Sequence, residues 1–418
     1  MPGHFALLSR FRGSSYWFAV AIGLVGALFT IPVATNVGGP AAWAALAAGQ
    51  ALGAIGGVVV FLGWNVLGPV RIARLDDSAR AGVFLDSLWG RITALLIVLP
   101  IVLGTAAFIS RQSGILELMA PAAMSAMVSA LGASWFFVGA AQPNRLVVVD
   151  ALPRLFFVVV GSLGAVLASD LRVLPWFQLV GEVLIVTFSA VLILAPIPKR
   201  SLPSGVCSMI RRGVSSNLHG LATSVTAATY SQLPVVFGTA MGVPALPQIA
   251  LADRIQKMTL RAMLPTAQIA QAYVPRAAEK KELVARTIYA VRLISVVGVV
   301  AAVAFAAGVR PLAKLLSLGQ IEVSWQLSVL FGIAVGAVVV TGVLGPTCLA
   351  AWDRRDALVT STIVGSGIGV LLMLTIGTSH GGLGLAFALV VAEICVLAWQ
   401  ATALHRTISN ASGVSKGS

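Results

Sequence analysis

The sequence predicts an all-α integral membrane protein with twelve transmembrane helices, and three observations support this prediction. Of the 418 residues, 58% are hydrophobic and only 10% are charged, whereas soluble globular proteins carry about 25% charged residues. Apolar stretches long enough to cross a bilayer recur along the whole chain. The basic residues concentrate in alternate connections between those stretches. These features exclude an ordinary soluble enzyme and leave no length for a sizeable soluble domain.

Twelve apolar stretches have the length of about 20 residues that a helix needs to cross the hydrocarbon core. In the first half of the chain they lie near residues 16–35, 41–63, 89–109, 116–138, 146–168 and 174–195. In the second half they lie near residues 214–240, 246–275, 285–308, 326–350, 357–378 and 382–404. The stretch 246–275 contains several charged residues, but counting it as a span keeps every later loop on the side that its charges require.

The placement of the basic residues predicts the orientation of these helices. With both termini in the cytoplasm, the inner side holds 24 of the 28 basic residues. The outer side then holds only Arg111, Arg172, Arg310 and Lys314. Such an excess of Lys and Arg in cytoplasmic connections is the rule in multi-pass membrane proteins.

Tryptophans support the boundaries of the spans, because indole rings favour the interface between lipid and water. Five of them lie near predicted inner ends: Trp17, Trp64, Trp89, Trp135 and Trp352. Three lie near predicted outer ends: Trp43, Trp176 and Trp325.

A short internal repeat predicts that the chain has two related halves. The stretches LVGEVLIVTFSA (179–190) and VVAEICVLAWQA (390–401) each place a glutamate inside a span, Glu182 and Glu393. We therefore predict an N-terminal six-helix half (1–195), a cytoplasmic linker (196–213) and a C-terminal six-helix half with a short cytoplasmic tail (214–418). Halves with an even number of spans have the same orientation, so a pseudo-twofold axis along the membrane normal would relate them around a central cavity.

The predicted eighth span carries three basic residues on one face. At 100° per residue, Arg254, Lys257 and Arg261 lie within a sector of about 60°, and Asp253 precedes them. A basic residue at bilayer depth costs about 2.5–3.5 kcal/mol unless it faces protein or water. We therefore predict a substrate-binding anion site here, with polar lining from the preceding span; the candidates for this lining are Asn217, Tyr230 and Gln232.

A structural interpretation of the same residues stays open. In it, Arg261 and Lys257 extend to the cytoplasmic interface, and Asp253 pairs with Arg254. Within the anion-site interpretation, Asp253 pairs most simply with Lys257, four residues further along the helix.

Acidic residues inside spans are candidates for ion coupling, because intramembrane carboxylates often carry protons or sodium ions. Glu182, Glu393 and Asp253 are the candidates here. An alternative is that Glu182 and Glu393 only hold their bundles together by hydrogen bonds. Near the inner end of the third span, Asp86 is positioned to pair with Arg91.

Two segments resemble those of a known family. ASWFFVGAAQPNRLVVVDALPRLFF (133–157) resembles the junction of the fourth and fifth spans of polysaccharide, or O-antigen, flippases of the Wzx type. ALADRIQKM (250–258), followed by QAYVPRAAE (271–279), resembles their eighth span. These flippases belong to the multidrug/oligosaccharidyl-lipid/polysaccharide exporter superfamily, which shares the arrangement of two helical halves and also includes drug exporters and the usually fourteen-span peptidoglycan-precursor flippases.

The resemblance implies a transporter that moves an undecaprenyl-diphosphate-linked oligosaccharide from the cytoplasmic to the outer leaflet by alternating access. It also implies a bacterial inner membrane, contact with membrane lipids and with other proteins of polysaccharide synthesis, and neither a cofactor nor nucleic acid. One alternative is an ion-coupled efflux transporter for small molecules, similar to MATE proteins. A second is a membrane-embedded glycosyltransferase or polymerase of polysaccharide synthesis.

Enzymatic activity is not expected from the residues themselves. The sequence lacks a phosphate-binding glycine loop and a spaced set of metal ligands. The three cysteines, Cys207, Cys348 and Cys395, lie far apart and suggest neither a disulfide framework nor a metal site. The sequence therefore predicts a transporter without catalytic residues or a bound metal.

Overall fold

The computed structural model describes residues 3–111, 114–195, 205–215, 231–277 and 279–413. The chain divides into two compact units, Met1–Gln232 and Leu233–Ser418. The boundary between them falls inside the predicted seventh span, of which residues 216–230 lie outside the described residues. Each unit is built from helices.

The first unit contains nine helices in its described part. They are α1 (Gly3–Phe61), α2 (Trp64–Ala73), α3 (Asp77–Ser110), α4 (Leu116–Ser129), α5 (Ser134–Gly139), α6 (Pro143–Leu146), α7 (Leu152–Ala168), α8 (Val173–Leu194) and α9 (Val206–Ser215). A π-helical turn, Val147–Ala151, joins α6 to α7.

The second unit begins within a helix over residues 231–240, here called α10. Its further helices are α11 (Leu246–Ala262), α12 (Leu264–Tyr273), α13 (Lys280–Leu316), α14 (Trp325–Val343) and α15 (Arg355–Gly413). A 3-10 turn, Val274–Arg276, follows α12, and a π-helical turn, Leu344–Leu349, follows α14.

The predicted helical membrane fold is confirmed, although several spans are joined differently. Eight helices of the described part are long and apolar enough to cross a membrane. Two of them, α1 and α15, each contain two predicted spans separated by a kink at a glycine with positive φ, Gly39 (φ 78°) and Gly381 (φ 57°). The predicted loops at these places are therefore kinks, which glycine permits because it has no Cβ. The predicted eighth span is divided into α11 and α12, which meet at Met263, and neither helix is among these eight.

The segment predicted as a linker contains a helix that packs on the first unit. Helix α9 lies against α3, and Arg212 donates two hydrogen bonds to Asp86, at 2.8 and 3.0 Å. These bonds raise the pKa of the Arg212 guanidinium above its ordinary value. The expected pair between Asp86 and Arg91 is therefore wrong, since a residue distant in sequence reaches this carboxylate instead.

Glycines allow several helices to pack closely. A Cβ added to Gly53 of α1 would lie 2.3 Å from the carbonyl oxygen of Ala123 on α4. In the second unit, a Cβ added to Gly336 of α14 would lie 2.9 Å from the carbonyl oxygen of Gly298 on α13. Small residues at helix contacts are typical of membrane proteins, where close van der Waals packing drives association.

The burial of several tryptophans corrects part of the sequence interpretation. Trp176 and Trp325 are at least half exposed, as expected for interfacial residues. In contrast, Trp43, Trp64 and Trp135 are buried in the first unit. The rings of Trp64 and Trp135 lie 5.1 Å apart between their centroids, so these indoles belong to the protein core.

The close contact at Gly53 predicts a specific loss of stability. Gly53→Ala forces α1 away from α4, and overpacking of this kind costs about 1–3 kcal/mol. Gly104→Ala is the matched control, because a Cβ at Gly104 meets no atom within 4 Å. We expect thermal unfolding in detergent at a lower temperature for Gly53→Ala and at an unchanged or higher temperature for Gly104→Ala. Equal unfolding temperatures for both variants would contradict this packing.

Candidate functional site

Helix α11 carries the predicted basic stripe, defined as Arg254, Lys257 and Arg261. Pro247 occupies the first turn of α11, where proline's missing N–H is not needed. The helix ends at Ala262, one residue after Arg261, and α12 begins with Leu264 and a second early proline, Pro265. The stripe therefore runs along the last three turns of a helix that breaks inside the predicted eighth span.

The stripe lies on the less buried face of α11. The opposite face is buried and packs mainly on α14; its residues are Ile249, Leu251, Ala252, Ile255 and Gln256. Arg254 and Lys257 are half-buried, and Arg261 is exposed. The apolar face fixes the rotation of the helix, so the three cations are held on one side of it.

Asp253 and Lys257 form the i,i+4 ion pair expected from the sequence. The distance from Lys257 Nζ to Asp253 Oδ2 is 2.6 Å, and the Asp253 side chain is 9% exposed. The alternative pairing of Asp253 with Arg254 is absent from the described part of the chain.

Arg254 differs from the other deep charges. Its guanidinium makes no hydrogen bond or ion pair to any described residue, although the side chain is half-buried. A half-buried guanidinium retains five N–H donors and a permanent charge. Within the stripe, Arg254 is therefore the side chain best suited to bind an external anion.

The predicted polar lining is only partly described. Gln232 lies on α10 and is half-buried. Asn217 and Tyr230 lie outside the described residues, so their role stays a prediction.

Glu182 belongs to a buried charge network that sequence reasoning missed. Arg154, at the start of α7, donates to Glu182 of α8 and also contacts Asp150 at 2.7 Å. The Glu182 side chain is 9% exposed and that of Arg154 is 35% exposed. The Asp150–Arg154 spacing of four residues was a readable signal, but the contact with Glu182 depends on how α7 packs against α8.

The network leaves one oxygen of Glu182 without a hydrogen bond. Oε2 is buried and has no hydrogen-bond partner among the described residues, whereas Oε1 accepts a hydrogen bond from Arg154. Glu393, the repeat counterpart of Glu182, lies on α15 and is only half-buried. The two glutamates therefore have different surroundings, and ion coupling by either remains a prediction.

Arg91 is a second residue whose role the sequence did not reveal. Its side chain is fully buried and donates from Nη1 to the carbonyl oxygens of Ala130 and Gly132, both at 2.9 Å. The guanidinium carbon lies 5.5 Å from the centre of a ring of Trp135. Arg91 thus donates hydrogen bonds to carbonyl oxygens at the C-terminal end of α4 that have no partner within the helix. The helix dipole also favours a cation at this end.

The Glu182 network predicts unequal effects of two substitutions. Arg154→Gln leaves Asp150 and Glu182 together without their cation, whereas Glu182→Gln leaves Arg154 paired with Asp150. Breaking a buried pair costs about 3 kcal/mol, at the lower end of the usual range because Arg154 is one-third exposed. We expect Arg154→Gln to unfold at the lower temperature of the two, and the double variant Arg154→Gln/Glu182→Gln to recover part of the loss. Additive losses in the double variant would show that the two side chains are not coupled.

Solved structures of other proteins share this fold. The chain is similar to the lipid II flippase MurJ in an inward closed conformation, with a TM-score of 0.56 and 10% sequence identity over 96% of this chain and 90% of the flippase. It is also similar to the eukaryotic MATE transporter AtDTX14, with a TM-score of 0.55 and 12% identity over 97% of both chains. A MATE protein in the bent conformation gives a TM-score of 0.54 and 14% identity over 94% of both chains. No family model and no curated protein matches the chain. The chain therefore has the helical transporter fold that these flippase and MATE structures have in common.

Proposed function

We propose that this protein is a transporter that moves an undecaprenyl-diphosphate-linked oligosaccharide from the cytoplasmic to the outer leaflet of a bacterial inner membrane. The single observation that carries this proposal is Arg254, a half-buried arginine on α11, in the predicted eighth span, with no hydrogen bond or ion pair in the described part of the chain. Lys257 and Arg261 lie on the same face. The similarity to a lipid II flippase supports a lipid-linked substrate.

The chemistry of the substrate fits the stripe. A guanidinium binds two phosphate oxygens in a planar, bidentate arrangement, and a Lys ammonium acts as a compact point charge. A diphosphate presents several oxygens to such groups, while its polyprenyl chain stays in the bilayer. The proposed partners are therefore the lipid-linked oligosaccharide, the surrounding lipids and proteins of polysaccharide synthesis that supply or receive it.

An ion-coupled efflux transporter is the second candidate. Two MATE structures match the fold with TM-scores of 0.55 and 0.54, against 0.56 for the flippase. An exporter of organic cations needs acidic residues at its substrate site, and Glu182 is the most deeply buried glutamate described. Arg154 pairs with that carboxylate, however, and the accessible charges of α11 are basic. The charges of the stripe therefore favour an anionic substrate.

The proposed orientation predicts which positions react with an impermeant thiol reagent added outside intact cells. Single cysteines at exposed Glu322 and His380 should react, and those at exposed Arg74 and Lys281 should not. The exposed native residue Cys207 must first be replaced. Labelling at Lys281 from outside would reverse the charge-based topology and remove the basis for placing α11 in the membrane.

The stripe predicts a steep loss of transport in Arg254→Gln. Removing a charge-assisted contact costs about 1.5–3 kcal/mol, or about 10- to 150-fold in binding. Arg254→Lys keeps the charge without the bidentate geometry and should be partly active, whereas Arg254→Glu should be inactive. The measurement is accumulation of lipid-linked oligosaccharide on the inner leaflet, at equal protein level.

The matched control is Arg406→Gln, which removes an exposed arginine of α15 outside the stripe. This variant should transport normally. Normal transport by the triple variant Arg254→Gln/Lys257→Gln/Arg261→Gln would falsify the proposed substrate site.

A further inference from the structure

Helix α11 has one acidic residue, Asp253, beside the basic residues of the stripe, and the inference about it rests on the proposed function. We propose that Asp253 determines substrate specificity by limiting the positive charge of the stripe. When the Asp253 carboxylate is present, the site binds a diphosphate diester such as a lipid-linked oligosaccharide. It does not strongly favour the diphosphate monoester that remains when the sugar is removed.

The geometry makes Asp253 part of the stripe. Asp253 is the one acidic residue in the sequence of α11, and it precedes Arg254 directly. Its carboxylate lies 2.6 Å from Lys257 Nζ, and its side chain is 9% exposed. Since both residues are on the same helix, one turn apart, the pair forms whether or not a substrate is bound. The carboxylate therefore acts on every anion that approaches Lys257.

The charges of the face can be compared with those of the two ligands. Three basic residues and one carboxylate give α11 a net charge of plus two. A diphosphate esterified at both ends carries two negative charges, whereas a diphosphate esterified only at the lipid carries three at about pH 8. The diester is the cargo to be moved, and the monoester is the product of any later reaction that transfers the sugar elsewhere. Both occur in one membrane, so a transporter must avoid being occupied by the monoester.

Removing the carboxylate changes this balance in a calculable direction. Each added unit of positive charge strengthens binding by a Coulomb factor for every negative charge on the ligand. At about 6 Å and an effective permittivity of about 40 to 80, the factor is about three- to tenfold per charge. A ligand with three charges gains one such factor more than a ligand with two.

The experiment compares two probes on the full chain in detergent. One is farnesyl-diphosphate-linked N-acetylglucosamine, a diester, and the other is farnesyl diphosphate, a monoester. We expect Asp253→Asn to bind the diester about 10- to 100-fold more tightly, and to shift the affinity ratio a further three- to tenfold toward the monoester. Isothermal titration calorimetry at about pH 8 measures both constants.

Three further variants make the result specific. Asp356→Asn removes an exposed carboxylate paired with Arg354 and should leave both constants unchanged. Asp253→Asn/Lys257→Gln restores the net charge of plus two and should restore the wild-type ratio. Lys257→Gln lowers the net charge to plus one and should shift the ratio toward the diester, which keeps the proposal testable if Asp253→Asn does not fold.

The outcomes separate this inference from the proposed function. If the wild type binds neither probe, or if Arg254→Gln binds both normally, the proposed function is wrong. If Arg254→Gln loses binding but Asp253→Asn and Lys257→Gln leave the ratio unchanged, the stripe binds the diphosphate and Asp253 does not determine specificity.

Discussion

Charged side chains inside a bilayer must be compensated by the protein, and this constraint organises the polar part of the structure. Hydrocarbon offers no water to solvate a charge, so an intramembrane cation or anion is tolerated where a counterion or a set of dipoles faces it. In the first unit, Arg154 lies between two carboxylates, Asp150 and Glu182. Arg91 instead donates to backbone carbonyls at the end of α4. Both arrangements connect different helices, so compensation also ties the bundle together.

The stripe of α11 follows the same constraint only in part. Lys257 has its counterion in Asp253 on the same helix. Arg254 is half-buried next to this pair and has no counterion in the described part of the second unit. Keeping such a side chain in a predicted span costs stability, and the proposed anion site offers a reason for keeping it. The buried charges of the first unit are thus compensated by protein groups, whereas Arg254 has no such compensation among the described residues.

Packing between the helices depends on small residues. Lipid chains are as apolar as leucine side chains, so burying apolar surface does not by itself hold membrane helices together. Glycines such as Gly53 and Gly336 let backbones approach closely and gain van der Waals contact. Large apolar residues such as Leu96 and Val299 remain exposed on the outer faces of their helices. The bundle therefore resembles a soluble protein in its interior and differs from one at its surface.

The sequence by itself determined the helical membrane fold, most of the span boundaries and the pair between Asp253 and Lys257. These features depend on hydropathy and on the helical repeat, which act over a few neighbouring residues. Only the tertiary structure decided that Glu182 pairs with Arg154, that Asp86 pairs with Arg212 rather than Arg91, and that some tryptophans are buried. Those contacts join residues 28 and 126 positions apart, and their partners depend on how whole helices rotate and pack. Local periodicity cannot specify these partners, because each charged residue has several possible counterions elsewhere in the sequence. The packing of the helices decides which counterion lies within hydrogen-bond distance.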